Sequence, residues 1–107
     1  MIREKAKEKK RRMLRLNHKK LDVWKNSISL VVEIYKLTGT FPKSEPYGLT
    51  NQLRGAAVSI PSSVAEGASR SSEKERKRFY EVARSSLAEI DTQLEISVRL
   101  NHCSQEN

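Results

Sequence analysis

Apolar residues recur every three to four positions along three stretches of the chain, with polar residues between them. This spacing is typical of amphipathic α-helices, and no stretch shows the strict alternation of a half-buried strand. The predicted helices run from Leu21 to Gly39, from the region of Ser44 to Tyr47 as far as Gly67, and from Glu73 to about Leu100. The sequence therefore predicts an all-α fold.

Each predicted helix carries an apolar stripe that we expect to face the interior of a helical bundle. The stripes are Leu21, Trp24, Ile28, Val31 and Tyr35; then Leu49, Leu53, Ala56, Ala57, Ile60 and Val64; then Phe79, Val82, Ala83, Leu87, Ile90, Leu94 and Val98. Aromatic residues on or beside these stripes are expected to pack in the core or between subunits, not to bind a cofactor.

The ends of the helices have local signals of their own. Gly39 is placed to end the first helix, and Ser44 to cap the second. Ser72, with Glu75 three residues later, has the form of a capping box for the third. Pro61 lies inside the second helix, where a missing amide donor predicts a kink or a break. The polar residues 101–107 are expected to fray.

Charge is distributed unevenly along the chain. Formal net charge is +8, from 21 Lys and Arg residues against 13 Asp and Glu residues. Residues 1–20 hold ten of these cations and two of the anions, so residues 21–107 carry equal numbers of each. We therefore divide the chain into a basic N-terminal arm, residues 1–20, and a charge-balanced helical domain, residues 21–107. The cations of the arm are Arg3, Lys5, Lys7, Lys9, Lys10, Arg11, Arg12, Arg15, Lys19 and Lys20.

Two basic clusters are the candidate nucleic-acid-binding residues. Arms of like charge often bind nucleic acid through its phosphates, although this one could instead be a solvated tail or a structural extension of the first helix. The second cluster either extends the phosphate-binding surface or is a solvated helix face with local ion pairs. It consists of Arg70, Lys74, Arg76, Lys77 and Arg78. No aromatic residue is interleaved with either cluster, so we expect backbone contacts with weak sequence preference.

Candidates for catalysis or metal binding are few. His18 and His102 each lack a second ligand at metal spacing, and Cys103 follows His102 in the polar tail, a poor setting for a nucleophile and its base. No nucleotide-binding or hydrolase motif occurs. We expect no catalytic residue, no cofactor, no metal site, no small-molecule substrate and no enzymatic activity.

Composition also bears on location. A single cysteine excludes an internal disulfide and fits a reducing compartment. No apolar run approaches the ~18 residues that a membrane span requires, and the basic start lacks the apolar region of a secretory signal. These features predict a cytoplasmic protein with no membrane association.

Five groups of residues resemble a known family in their order and spacing. They are Leu21–Trp24, Tyr47–Arg54, Ala56–Pro61, Ala65–Gly67 and Arg84–Glu89. Taken together, they make the chain from about Leu21 to Leu100 similar to the four-helix-bundle proteins encoded in intervening sequences of bacterial 23S rRNA genes.

The resemblance implies an antiparallel up-and-down bundle that assembles into a homopentamer, without known catalysis and with an association with rRNA genes. It also suggests that Arg54 and Glu66 form an ion pair, either between helices or between subunits. Only seven residues follow Leu100, so we expect the family's fourth helix to be truncated here.

Two functional hypotheses follow. The first is a non-enzymatic, cytoplasmic homo-oligomer that binds RNA or DNA through phosphate contacts, the arm supplying affinity and the bundle supplying valence. The second is a structural or protein-binding scaffold without direct contact to nucleic acid.

Overall fold

The computed structural model describes residues 3–7, 21–45 and 47–104. Within these ranges the protein is helical and has no β-strand. Residues 3–7 are helical, and three long helices follow: α1 (Asp22–Thr38), α2 (Leu49–Ser69) and α3 (Glu73–Arg99). The prediction of an all-α helical bundle is confirmed.

Helix α2 is the centre of the bundle. It packs against α1 on one side and α3 on the other, while α1 and α3 make no backbone approach to each other within the described ranges. The start of α2 meets the end of α1 through Arg54 and Thr38, and its end meets the start of α3 through Gly67 and Phe79, so neighbouring helices are antiparallel. The core consists of Ile34, Phe41, Leu53, Ala56, Ala57, Ile60, Val64, Ala83 and Ile90.

The predicted stripe of α2 is confirmed, since all six of its residues are buried. The burial of this stripe follows from the position of α2 between α1 and α3. A helix packed on two sides buries a wide apolar arc, and small residues such as Ala56 and Ala57 let the flanking helices approach closely.

The predicted stripe of α1 is confirmed in part: Trp24 and Val31 pack against the core, but the fully buried line lies one residue away, about 100° around the helix. Ile28 and Tyr35 are exposed, and the buried residues of this helix are Ser27, Ile34 and Thr38. The hydroxyl of Ser27 donates to the Trp24 carbonyl at 2.7 Å, and that of Thr38 donates to the Ile34 carbonyl at 2.7 Å. Because these hydroxyls are satisfied within the helix, small polar residues fill the close contact with α2, and the larger apolar residues lie on its flanks.

The stripe of α3 is confirmed in part. Ala83 and Ile90 are buried, but Val82 and Leu87 are exposed. The buried line of this helix also includes three polar residues, and Ser86 hydrogen-bonds across to Ser59 on α2. The buried polar residues are Ser86, Gln93 and Ser97.

The start of α2 differs from the prediction. The helix begins at Leu49, after Gly48 in the left-handed conformation, and not at the predicted Ser44 to Tyr47. The carboxylate of Glu45 accepts the amide hydrogens of Tyr47 at 3.0 Å and Leu49 at 2.9 Å. Glu45 therefore does the capping that we assigned to Ser44, because its longer side chain reaches the first amides from outside the helix.

Pro61 does not break α2, which continues from Leu49 to Ser69, two residues beyond the predicted end at Gly67. The hydroxyls of Ser59 and Ser62 donate to the carbonyls of Ala56 and Val58 on either side of the proline's missing bond. Such side-chain bonds help a helix to tolerate an internal proline.

The other helix ends match the sequence more closely. Helix α1 ends before Gly39, and the Ser72 hydroxyl accepts the Glu75 amide at 3.1 Å. The expected fraying is wrong for residues 101–104. Asn101 takes a left-handed conformation, with φ of 61°, and the amides of Asn101 and His102 donate to the carbonyls of Val98 and Ser97. This is the hydrogen-bond pattern of a Schellman motif.

Candidate nucleic-acid interface

The structure describes only the first part of the basic arm. Arg3, Lys5 and Lys7 lie on exposed helical residues, and the Lys7 ammonium is 3.8 Å from the Glu4 carboxylate. The other candidate residues of the arm lie outside the described ranges. They are Lys9, Lys10, Arg11, Arg12, Arg15, Lys19 and Lys20.

In the second cluster, two arginines organise the turn between α2 and α3. The Arg70 guanidinium donates to the Glu66 carboxylate at 3.0 Å and lies 5.0 Å from the centre of the Phe79 ring. The Arg76 guanidinium donates to the carbonyls of Arg70 at 2.9 Å and Ser71 at 3.0 Å. These contacts hold the first turn of α3 against the end of α2.

The remaining three cations of the cluster are exposed. Lys74, Lys77 and Arg78 are three and four residues apart, so their side chains share the outer face of the first turns of α3. Within the described part of the chain, none of the three makes an ion pair or a side-chain hydrogen bond. The cluster thus divides into two arginines that build the turn and three cations that are available to a ligand.

The location of these cations favours an anion. Positive charge at the start of a helix opposes the helix dipole, so it adds nothing to the stability of α3. A phosphate placed beside Lys74 would interact favourably with both the side chain and the positive end of the helix.

Arg54 and Glu66 do not pair within the protomer. Twelve residues along one helix separate them by about 18 Å. The Arg54 guanidinium donates to the Thr38 hydroxyl at 2.8 Å and to the Tyr35 carbonyl at 3.3 Å, and it stacks 4.5 Å from the centre of the Tyr35 ring. An interhelical pair is therefore wrong, while an intersubunit pair stays a prediction.

The C-terminal residues have structural contacts. The His102 ring lies 5.5 Å from the Phe41 ring, and Cys103 packs against the core. Burial raises the pKa of the Cys103 thiol, which keeps it in its less reactive protonated form. Within residues 3–7, 21–45 and 47–104, no three metal-ligating side chains come together, and no helix is long and apolar enough to cross a bilayer.

One polar network was missed by the sequence analysis. The Gln93 side-chain amide donates to Gln52 at 3.0 Å and to the Glu89 carboxylate at 3.1 Å. Gln93 lies one turn from Ile90 on the buried line of α3. In the sequence, the sign of this network was a polar residue at a position where the helical spacing predicts a core residue.

Comparison with family models identifies the chain. The model of the 23S rRNA-intervening sequence protein matches residues 19–107. The chain belongs to this family. The match includes all three long helices of this intervening-sequence protein and the basic cluster at the start of α3, and it leaves residues 1–18 outside. No curated protein shows significant similarity to the chain.

Proposed function

We propose that this intervening-sequence protein is a non-enzymatic, cytoplasmic protein that binds RNA or DNA through phosphates and associates with copies of itself. The observation that supports it is the group of three exposed, unpaired cations, Lys74, Lys77 and Arg78, which lie together in a helical domain whose cations and anions are equal in number. The ten cations of the arm would add to the same phosphate contacts.

Binding of this kind is driven by the release of counterions from the nucleic acid. Affinity should fall steeply as salt is raised, with a slope that reflects the number of phosphates contacted. Because phosphates carry no sequence information, preference among sequences should be weak. In an assembly of several copies, the homopentamer that the resemblance implies, the contacts of single protomers would reinforce one another.

The test is a salt titration of binding to a fluorescent RNA hairpin. The Lys74→Ala/Lys77→Ala/Arg78→Ala variant and a variant lacking residues 1–20 should each bind more weakly, with a salt slope lower by about one for each lost phosphate contact. A Lys25→Ala/Lys36→Ala/Lys43→Ala variant removes the same charge from elsewhere on the domain and should bind within about twofold of the parent at the same salt concentration. Equal losses in the two triple-alanine variants, which remove the same charge, would mean that net charge alone matters. Unchanged binding in both the Lys74→Ala/Lys77→Ala/Arg78→Ala variant and the truncated variant would contradict the proposal.

A scaffold role without nucleic acid is the second candidate, and one observation favours it. More large apolar side chains are exposed than buried in the described part of the protomer. Exposed apolar surface of this extent is typical of protein interfaces. A stable assembly that binds no RNA at any salt concentration would favour this role over the first.

A further inference from the structure

Two apolar surfaces lie on different sides of α2, outside the core. The first, the α1–α2 face, is a groove formed by Trp24, Ile28, Val31, Val58, Pro61 and Ala65. One turn past Val31, Tyr35 continues this face with Arg54 stacked on its ring. The second, the α2–α3 face, is a groove of about 810 Å³ whose apolar lining includes Tyr47, Leu49, Ala88, Ile96 and Leu100.

The α2–α3 face contains a buried acceptor that lacks a donor. Gln93 is 7% exposed, and its amide nitrogen uses both hydrogens on Gln52 and Glu89. A carboxylate can only accept, so Glu89 fixes which end of the Gln93 amide faces it. The Gln93 Oε1 is left buried without a hydrogen-bond partner among the described residues. Because this atom has no accessible surface, a docking partner would meet the exposed Glu89 carboxylate, which the Gln93 amide holds at the groove.

Charge indicates what kind of surface complements this groove. Glu89 is the one charged side chain that lines this groove in the described structure, and no cation accompanies it. Two copies that joined through the same face would place two Glu89 carboxylates in one interface without a compensating cation. The face is better complemented by a different, cationic surface.

The α1–α2 face supplies that cation. Arg54 lies at one end of it, and its guanidinium uses only Nε and one hydrogen of Nη2 on Thr38 and Tyr35. Among the described residues, both hydrogens of Nη1 remain available, at the end of the apolar groove of the α1–α2 face. Arginine suits such a contact because its guanidinium can donate two parallel hydrogen bonds to one carboxylate.

We infer that the α2–α3 face of one copy docks onto the α1–α2 face of the next, with the second copy's Arg54 donating to Glu89. This contact takes the place of the intersubunit pair with Glu66 that the resemblance suggests. The inference rests on the self-association in the proposed function and names its contact. Since the two faces differ, each copy offers one of each, and repetition of the contact closes a ring if the rotation permits.

The test is a charge reversal on the full-length, nuclease-treated protein, with mass measured by sedimentation velocity over a range of concentrations. The Arg54→Glu and Glu89→Arg variants should each raise the dissociation concentration of the assembly at least tenfold. The double variant should return it to within about threefold of the parent. Asp91→Arg, which reverses a charge on the opposite side of α3, is the matched control and should keep the parental mass.

The double variant separates docking from folding. Arg54→Glu also loses its bonds to Thr38 and Tyr35, and a change at residue 89 of the same protomer cannot restore those. Recovery of mass in the double variant therefore requires contact between copies. Parental mass in both single variants, no recovery in the double variant, or equal dissociation by Asp91→Arg would each overturn the inference.

The design also keeps this inference apart from nucleic-acid binding. Mass is measured without RNA, and RNA binding by the dissociated variants is measured separately. A parent protein that is monomeric at all concentrations would overturn the self-association and the inference together, and would leave the phosphate contacts of Lys74, Lys77 and Arg78 to be judged by the salt titration.

Discussion

The Nε of Arg54 on α2 donates a hydrogen bond of 2.8 Å to the hydroxyl of Thr38 at the end of α1. The same hydroxyl donates to the Ile34 carbonyl at 2.7 Å, so it bridges the two helices. Thr38 is 3% exposed. The last carbonyls of a helix lack intrahelical partners, and here side chains supply them. This bridge fixes where α2 crosses the end of α1.

Replacement of Thr38 by valine should therefore destabilise the fold. The change keeps the shape of the side chain but leaves an arginine donor without its buried acceptor, which costs about 1–3 kcal/mol. The free energy of unfolding from urea denaturation measures this loss. Thr92→Val removes a similar hydroxyl bond, from Thr92 to the Ala88 carbonyl, at an exposed position. It should change stability by less than about 0.5 kcal/mol. Equal losses in the two variants would show that the bridge contributes nothing beyond helix propensity.

Two glycines of α2 should respond in opposite ways to alanine. A Cβ on Gly67 would lie 3.1 Å from the Phe79 Cβ and 3.1 Å from the Tyr80 Cε1, whereas a Cβ on Gly55 would meet nothing within 4 Å. Gly67→Ala should cost about 1–3 kcal/mol through overpacking between α2 and α3. Gly55→Ala should stabilise the helix by about 0.5–1 kcal/mol. Thermal unfolding of the two variants gives the comparison, and stabilisation by Gly67→Ala would contradict the close approach.

These close contacts show what the sequence could and could not predict. The helices of this fold, and the stripe of α2, follow from apolar spacing, because α2 is packed on both sides. For α1 the same reasoning selected Ile28 and Tyr35, which lie on the outer α1–α2 face. Hydrophobic spacing identifies apolar faces but cannot say which one a neighbouring helix covers, and small hydroxyl residues such as Ser27 carry no apolar signal.

The basic cluster shows the same limit at the candidate site. The sequence placed the cations correctly at the start of α3. It could not show that Arg70 and Arg76 make structural contacts while the other three cations are exposed. That division depends on the turn geometry that brings the Arg76 guanidinium to the Arg70 and Ser71 carbonyls. Likewise, the role of Gln93 depends on its distance from Gln52, 41 residues away in the sequence.

The cap of α3 offers a direct test of a local signal. Ser72→Ala removes the hydroxyl that accepts the Glu75 amide and should cost about 1 kcal/mol. Ser71→Ala changes the neighbouring exposed serine, whose side chain makes no such bond, and should have little effect. Because Lys74 lies in the capped turn, Ser72→Ala should also weaken RNA binding, whereas Ser71→Ala should not. Circular dichroism during urea denaturation measures the first effect, and a stable Ser72→Ala variant would show that packing alone sets the helix start.

Acid should remove the cap of α2 at Glu45. The amide hydrogen bond from Leu49 lowers the pKa of the Glu45 carboxyl, with help from the Tyr47 amide and the charge of His102, while burial acts in the opposite direction. A carboxyl whose pKa is lower in the folded state stabilises the fold above its unfolded pKa, about 4.3 for glutamate, and this stabilisation is lost as pH falls through the folded pKa. The loss therefore occurs below about pH 4.

Glu45→Gln tests this linkage, since the amide keeps one acceptor but carries no charge. At pH 7 the variant should unfold at a lower urea concentration than the parent. At about pH 3, below the unfolded pKa, the difference between the two should be smaller than at pH 7, and it should go on shrinking as pH falls through the folded pKa. Glu33→Gln changes an exposed carboxylate that forms only a surface ion pair with Lys36 and should leave the midpoint almost unchanged at both values. A Glu45→Gln deficit that is equally large at both pH values would mean that geometry, and not charge, makes Glu45 the cap of α2.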